Sequence, residues 1–356
     1  MPIGGRVALP LRPPGPLTLG RGSVGGGIRR VFDTFAGAGG LSIGLGHAGF
    51  DIVAGAEWDS DACETFANVH PGARVLEGDM NAMSFSPWRG VIDVVVGGPP
   101  CQPWSTGGKR LGAEDPRDGW PAFLRVLQEI RPEAFVAENV AGLVSGARAA
   151  QFRWLFKEFE DLGFKVAAEV LNAADHGVPQ RRHRLFIVGL RNGIFAFPLP
   201  QFGPSRAKPW RSAGEFLRHQ PIGRPNPSIV TYACNPDLRP NPYDGHVFNG
   251  GGRPIDPKKP APTLLAAMGG NKTPWIDTLG IVPKYHAHLM AGGEPRAGPV
   301  PGARRITVEE AAALQTFPAG MHFTGARSSR YRQIGNAVPP LLARVIGEEL
   351  RRQLSA

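Results

Sequence analysis

Cys101 is the residue most open to chemistry. It lies in Gly97-Gly98-Pro99-Pro100-Cys101-Gln102-Pro103-Trp104-Ser105, directly after the apolar run Val91-Ile92-Asp93-Val94-Val95-Val96. Such a run, β-branched and stopped by two glycines, reads as a central parallel strand. The carboxyl ends of these strands are where open α/β sheets bind ligands. The flanking prolines fix φ and push their predecessors toward extended backbone, so the loop is stiff and presents one thiol. Most free cysteines are small buried hydrophobes; a thiol held in a rigid loop at a strand end also suits a nucleophile.

Other polar groups gather at the ends of further predicted strands. Asp33 and Phe35 lead into Ala36-Gly37-Ala38-Gly39-Gly40, a turn that opens a helix and lets backbone approach a ligand. Ser42 occupies the third glycine position of a GxGxxG fingerprint, so a nucleoside without phosphates fits better than a dinucleotide. Glu57-Trp58 offers a carboxylate for a ribose diol and a ring to stack on adenine. Asp79-Met80 offers an acceptor for an exocyclic amine and a surface for a base. Arg182 and Arg184 alternate in Gln180-x-Arg182-x-Arg184 ahead of the strand Leu185–Val188, so both can point the same way.

Positioning these groups requires a regular scaffold, and the chain from Arg30 alternates strand and helix. Strands are predicted at Val31–Phe35, Ile52–Ala56, Arg74–Leu76, Val91–Val96, Ala134–Ala137, Val166–Leu171 and Leu185–Val188. Helices are predicted at about Leu41–Ala48 and Phe123–Ile130, and along Phe152, Leu155, Phe156, Phe159 and Leu162. This predicts an α/β fold with a doubly wound, mostly parallel sheet over residues 29–194. Residues 195–304 are punctuated by Pro and Gly and predict a second, smaller, irregular β/loop domain. Helices at Val308–Gln315 and Pro339–Leu354 close the chain within 305–356. Residues 1–28, rich in Gly, Pro and Arg, read as a disordered basic tail or an over-extended start, without a signal-peptide pattern.

Composition narrows the partners. Lys and Arg total 40 against 30 acids, a formal charge of +10, which suits a polyanion. No stretch is apolar enough to span a bilayer. Cys63, Cys101 and Cys234 form no CxxC pair, which argues against a disulfide framework or a metal site and for a reducing compartment.

With these motifs together the chain resembles the DNA (cytosine-5) methyltransferase family. DTFAGAGG (33–40), GGPPCQPWS (97–105), ENV (138–140), QRRHR (180–184) and RQIGNAVPP (332–340) occur in family order with family spacing. The resemblance covers nearly everything from Val31 to Leu350. It implies a Rossmann-like catalytic domain that uses S-adenosylmethionine and a target-recognition domain over 195–304, ending in Thr263-Leu264. Cys101 becomes the nucleophile that adds to C6 of cytosine, with Glu138 acting at N3, Asn139 tying the cysteine loop, and Arg182 and Arg184 at the cytosine carbonyl and a phosphate. The cofactor residues implied are Asp33, Phe35, Gly37, Gly39, Gly40, Glu57, Trp58, Asp79, Met80 and Pro99, with Asn336 and Val338 completing the methionine pocket.

Contacts to DNA are implied at Gln102, Ser105, Trp120, Arg253 and Thr263, with Ser105 to Trp120 forming a mobile loop hinged at Gly107 and Gly108. Three glycines, at 250–252, are expected to bring the backbone beside Arg253 up to base edges. The resemblance further implies a monomeric bacterial enzyme, cytoplasmic and nucleoid-associated, acting on double-stranded DNA. It would be either solitary or functionally paired with a restriction endonuclease. Glu309 and Ala313 stand where the family often has arginines, and Trp104 replaces the usual Phe. An amino-methyltransferase would present an aromatic where Cys101 stands, and the tRNA cytosine methyltransferase of the same fold a Cys-Phe-Thr signature. A non-catalytic DNA-binding relative would have lost the nucleophile or the acid.

Overall fold

The computed structural model describes residues 27–100, 118–144, 146–218, 223–249 and 252–355. Cys101, Gln102, Ser105, Gly107 and Gly108 lie outside the described residues, as do Gly250 and Gly251.

Seven strands form the central sheet: β1 (Arg30–Thr34), β2 (Asp51–Glu57), β3 (Arg74–Glu77), β4 (Val94–Gly97), β5 (Ala134–Val140), β6 (Lys165–Asn172) and β7 (His183–Leu190). Their order is β3-β2-β1-β4-β5-β7-β6. All neighbouring pairs are parallel from β3 to β5, while β7 runs antiparallel between β5 and β6. The doubly wound, mostly parallel sheet read from the sequence is the sheet observed. Several boundaries move: β5 and β7 run two or three residues further than read, and β4 begins at Val94, because the amides of Val91 and Ile92 turn back to the carbonyl of Trp88 at 3.0 and 3.2 Å.

Both faces of the sheet are covered, which is why β4 is buried throughout rather than alternating. On one face Phe32, Val95, Phe135 and Ala137 pack with Phe123 and Ile130 of α3 (Trp120–Ile130) and with Leu155 and Phe159 of α4 (Ala149–Asp161). On the other, Val31, Val94, Val96 and Val136 pack with Leu41 and Leu45 of α1 (Gly40–His47) and with Leu342, Ile346 and Leu350 of α9 (Pro340–Leu354). Successive strand residues thus feed opposite cores, the period of two that a strand imposes.

Trp120 corrects the sequence reading. It opens α3 with Pro121 in the first turn, and its ring is 0% exposed, edge-on to Phe123 and Phe159. A side chain held in the core beneath the sheet is not presented to DNA. The sequence reading passed over α2 (Ser60–Val69), which Asp59 caps by accepting from the amide of Ala62 at 3.2 Å.

Residues 195–304 carry α5 (Ala213–Leu217), the antiparallel pair β8 (Thr231–Asp237) and β9 (His246–Asn249), and a second pair, β10 (Trp275–Asp277) and β11 (Ala303–Arg305). Between β10 and β11 lies α6 (Ile281–Met290), a ten-residue helix in a stretch read as irregular. Its cap residue is Gly280; the capping acceptor is Asp277 further upstream, bonded to the amides of Ile281 and Val282 at 2.9 and 2.7 Å. An apolar cluster of Tyr232, Phe248, Trp275 and Tyr285 holds these pieces together, with the Phe248 and Trp275 ring centres 5.1 Å apart.

The chain ends with α7 (Val308–Leu314), α8 (Arg327–Asn336) and α9. A capping box between Thr307 and Glu310 starts α7. α9 lies on α1 so closely that a Cβ on Gly44 would overlap Ala343 and the Pro340 carbonyl. Gly44→Ala is therefore expected to destabilise the fold by ~1–3 kcal/mol through overpacking. The check is the urea midpoint, and an unshifted midpoint would show that the two helices separate at little cost.

Candidate active site

β4 delivers Gly97 to the carboxyl edge of the sheet, and the strip Gly98-Pro99-Pro100 leaves from there. The neighbouring end of β5 carries Glu138 and Asn139. Asn139 donates through Nδ2 to the carbonyl of Pro99 at 2.9 Å, while its own Oδ1 accepts from the amide of Val140 at 2.9 Å. The side chain thereby pins the strip that leads to residue 101. Glu138 is buried, and its Oε2 edges the strip: a Cβ on Gly98 would lie 3.3 Å from it.

Arg184 faces Val140 across the β5–β7 pair, diagonal to Glu138, and its Nε sits 2.9 Å from Glu138 Oε1. Burial pushes the Glu138 carboxyl above the usual range, while the charges of Arg184 and then Arg182 pull it back. Opposed effects of this kind suit a carboxyl that must hold a proton in one step and release it in another.

Arg182 was read as a substrate contact beside Arg184, and the structure corrects this. Its side chain is fully buried, donating to the carbonyls of Leu264 (3.0 Å), Gly335 (2.9 Å) and Ala337 (2.9 Å). A guanidinium spent on backbone acceptors positions the site rather than touching a ligand. Gln180 and Gln315 extend this network. Gln180 Nε2 donates to Gln315 Oε1 at 2.9 Å, Gln180 Oε1 accepts from the amide of Leu264 at 3.0 Å, and Gln315 Nε2 donates to the carbonyl of Ile334 at 2.6 Å. Gln315 was not among the residues picked from the sequence. Nothing in its neighbours distinguishes it from a helix-end glutamine.

A second crevice opens at the ends of β1, β2 and β3. Gly39, with φ of 79°, caps α1 without a side-chain partner, and Phe35 takes φ of 53° in the same turn. Glu57 knots this turn to β2: Oε2 accepts from the amide of Gly37 at 2.9 Å, and Oε1 from the amides of Trp58 and Asp59 at 2.9 and 3.0 Å. Trp58 is 80% exposed beside it, a flat face available for stacking. Asp79 is exposed at the head of a short turn, whereas Met80 is buried in the core and offers little surface to a base. Val338 closes the far wall, its carbonyl where a Cβ on Gly40 would lie, and Asn336 is exposed next to it.

These features fit a nucleoside that carries both a cationic and an anionic group: an exposed ring to stack on, carboxylates for hydroxyls and positive charge, and helix amides without a side-chain cap for the anion. Asp33 supports the turn from beneath rather than lining the crevice. Ser42, standing where the dinucleotide fingerprint would have glycine, donates to Asp33 Oδ2, and Oδ1 is buried without a partner.

The residues read as DNA contacts scatter. Thr263 is half-buried and donates to the carbonyl of Arg181 at 2.7 Å, beside the catalytic corner. Arg253 is exposed on the smaller domain, 3.3 Å from the ring Nε2 of His246. Gly252 was read as bringing backbone to base edges. Instead it packs against the Thr273 carbonyl, where a Cβ would overlap. Ala313 is buried and Glu309 exposed, so neither stands in for a phosphate-binding arginine.

Burial pushes the Asp33 carboxyl up to about 7, the Ser42 hydrogen bond opposing and the charge of Glu57 adding. Between about pH 4 and pH 7 the native protein then holds a proton that the unfolded chain has released. Stability therefore falls as pH rises through that window. His70, pulled down to about 4 mainly by burial, works the other way below its unfolded value. Asp33→Asn is expected to flatten the fall toward neutrality in denaturant titrations at several pH values. Identical slopes in variant and wild type would remove Asp33 from the balance.

Comparisons with known proteins agree with this geometry. The family model described as C-5 cytosine-specific DNA methylase matches residues 29–218 and 272–352. The Type II methyltransferase M1.HphI of Haemophilus parahaemolyticus is 34% identical over 332 residues, spanning 89% of this chain and 85% of that protein. M.FnuDI of Fusobacterium nucleatum is 31% identical over 336 residues, spanning 92% and 95%. Among solved structures, S. pombe Dnmt2 superposes with a TM-score of 0.67 at 16% identity, covering 93% of this chain and 100% of that one. The Entamoeba histolytica methyltransferase EhMeth gives 0.67 at 14%, with the same coverage; at such identities the likeness is one of fold. Motif order, sheet topology and the extent of the family match together make this chain a member of the C-5 cytosine-specific DNA methylase family, a DNA cytosine-5 methyltransferase.

Proposed function

We propose that the chain transfers the methyl group of S-adenosylmethionine to C5 of a cytosine turned out of duplex DNA, as the modification enzyme of a type II restriction-modification system. The observation that carries this reading is the Glu138–Arg184 pair, fixed against the strip that leads to Cys101. Relatives named Type II methyltransferases support the biological setting.

C5 of cytosine is too weak a carbon nucleophile to attack a methyl donor unaided. In the proposed reaction the Cys101 thiolate forms a bond to C6, and the ring's electron pair moves toward N3, where Glu138 supplies a proton. Arg184 holds Glu138 in place and offers its remaining N–H groups to the cytosine carbonyl. Bound S-adenosylmethionine supplies an electrophilic methyl group on a sulfonium. C5, now an enamine carbon, takes that methyl as its bond to the sulfonium breaks and a neutral thioether leaves; N3 returns its proton to Glu138, a water or hydroxide removes the C5 proton, and the electron pair released re-forms the C5–C6 double bond and expels the Cys101 thiolate. Turning the base out of the stack costs a few kcal/mol, which contacts made by the extruded base must offset.

The chain's own residues define the cofactor pocket in this reading. Trp58 stacks on the adenine, Asp79 accepts from its amine, and Glu57 offers the one remaining lone pair of Oε2 to a ribose hydroxyl. Backbone of Gly37–Gly40, with Pro99, Asn336 and Val338, surrounds the methionine part. Residues 29–194 together with 305–356 act as the catalytic unit, and 195–304 read the target.

Two tests follow. Cys101→Ala is expected to abolish methyl transfer while DNA still binds, and DNA carrying 5-fluorocytosine should trap wild-type enzyme covalently, because fluorine cannot leave as a proton does. Turnover by the alanine variant well above background would exclude the covalent route. Trp58→Ala should weaken binding of S-adenosylhomocysteine by ~1–3 kcal/mol in calorimetry, the value of a stacked base. Its melting temperature should not move, since the ring is exposed; unchanged affinity would remove Trp58 from the pocket.

A further inference from the structure

The seven-stranded sheet ends at β3 on one side and at β6 on the other. β3 has four residues, and a short free edge offers little to pair with, whereas β6 has eight. The bonds at the ends of β7 show which backbone groups of β6 are already spent. The amide of Ala173 donates to the carbonyl of Arg182 at 2.9 Å, and the amide of Arg191 donates to the carbonyl of Glu133 at 2.9 Å. Bonding alternates residue by residue along an antiparallel ladder, so Lys165, Ala167, Glu169 and Leu171 are the residues of β6 that bond to β7. The N–H and C=O groups of Val166, Ala168 and Val170 therefore point away from the sheet, and among the described residues no other element takes them up. Val166 and Ala168 lean on the core that holds Leu155 and Phe159 of α4, and Ala167 on the core of the opposite face. Lys165 and Glu169 share the face of Ala167; both are exposed and have no ion-pair partner among the described residues.

We propose that a second copy of this chain docks on β6, the two strands pairing antiparallel about a two-fold axis at Ala167, in place of the monomer that the family resemblance implies. Outward N–H and C=O groups meet only where Val166, Ala168 or Val170 of one copy faces another member of that set. Among the registers that satisfy this, centring on Ala167 sets Val166 against Ala168 and Lys165 opposite Glu169 of the second copy. Centring on Lys165 or on Glu169 would instead put like charges opposite each other. The Lys165–Glu169 pairs fall at positions without hydrogen bonds, where antiparallel strands bring side chains closest. A strand whose charges complement a reversed copy of itself meets the condition of an isologous interface. β6 runs parallel to β5, so its Asn172 end lies at the sheet edge that carries Glu138. Antiparallel pairing turns that edge of the second copy the opposite way and leaves both catalytic corners open. One strand edge is a small contact, so the association belongs in the micromolar range.

The experiment is sedimentation velocity of the full-length chain without DNA, from about 1 to 100 µM. Wild type should move toward twice the 38.1 kDa of one chain as concentration rises. Lys165→Glu and Glu169→Lys should each raise the dissociation constant about 10-fold or more, because either one sets like charges opposite at both ends of the pairing. Mixed in equal amounts, these two variants should dimerise again, since each copy then meets only opposite charges. Ala168→Pro, which removes an outward N–H and no bond to β7, should abolish the dimer. Methylation of a short duplex, per chain, should be the same for Lys165→Glu as for wild type. A wild type that sediments as a single chain over the whole range would overturn the proposal. A dimer whose dissociation constant none of the three variants changes would lie on another surface and overturn it equally. Loss of the dimer in both charge variants without recovery on mixing would overturn the register. Methylation that falls in step with loss of the dimer would overturn the opposed placement of the two sites.

Discussion

The buried guanidinium of Arg182 is the constraint on which the site depends. Charge in the interior is costly unless most of its hydrogen-bonding groups are met. Here Nη1 and Nη2 meet carbonyls of Leu264, Gly335 and Ala337, from two segments far apart in sequence, while Nε is buried without a partner. Burial pulls the group down to about 9, still well above neutral pH, so it stays cationic and the carbonyls stay bound. One side chain thereby fastens the backbone at Leu264 and at Gly335–Ala337 to the sheet edge that carries Glu138. Gln180 and Gln315 repeat the arrangement with neutral amides beside it.

Around that anchor the reactive groups need little further support. Glu138, Asn139 and Arg184 come from adjacent strands and inherit their spacing from the sheet register. Asn139 ties the cysteine strip to β5, and Arg184 ties Glu138 to β7, so acid and loop are held by two different strands of one sheet. At the other crevice Glu57 uses both oxygens on backbone amides. A residue read as a ligand contact is therefore also what shapes the pocket.

Residues 195–304 obey a different logic. Their strands lie in two separate two-stranded sheets, and an aromatic cluster around Trp275 and Tyr285 forms a core there. Arg305, nearly fully buried, donates to the carbonyls of Ser228, Thr273 and Ile229, much as Arg182 does to other carbonyls at the sheet edge. Stapling irregular backbone through a guanidinium leaves its outer residues free to differ without disturbing the sheet domain. This suits the stretch that the family model passes over.

The amino-acid sequence by itself determined the strand–helix alternation, because two covered faces demand continuous apolar runs and Gly-rich turns punctuate them. It also determined the order of the polar motifs at strand ends, and with it the family. Some boundaries were not legible: α6 is capped by Asp277, three residues ahead of the cap position itself, and the start of α3 buries a tryptophan that the family resemblance had placed at the DNA. Nor was the division of labour between two arginines spaced alike. Arg182 and Arg184 look equivalent in QRRHR, and only the return of residues 335–337 across the sheet edge decided which is buried. Local pattern fixes where a side chain starts and which way it alternates. What it meets there depends on chain segments brought in from elsewhere, so partner, charge state and role were settled by tertiary structure.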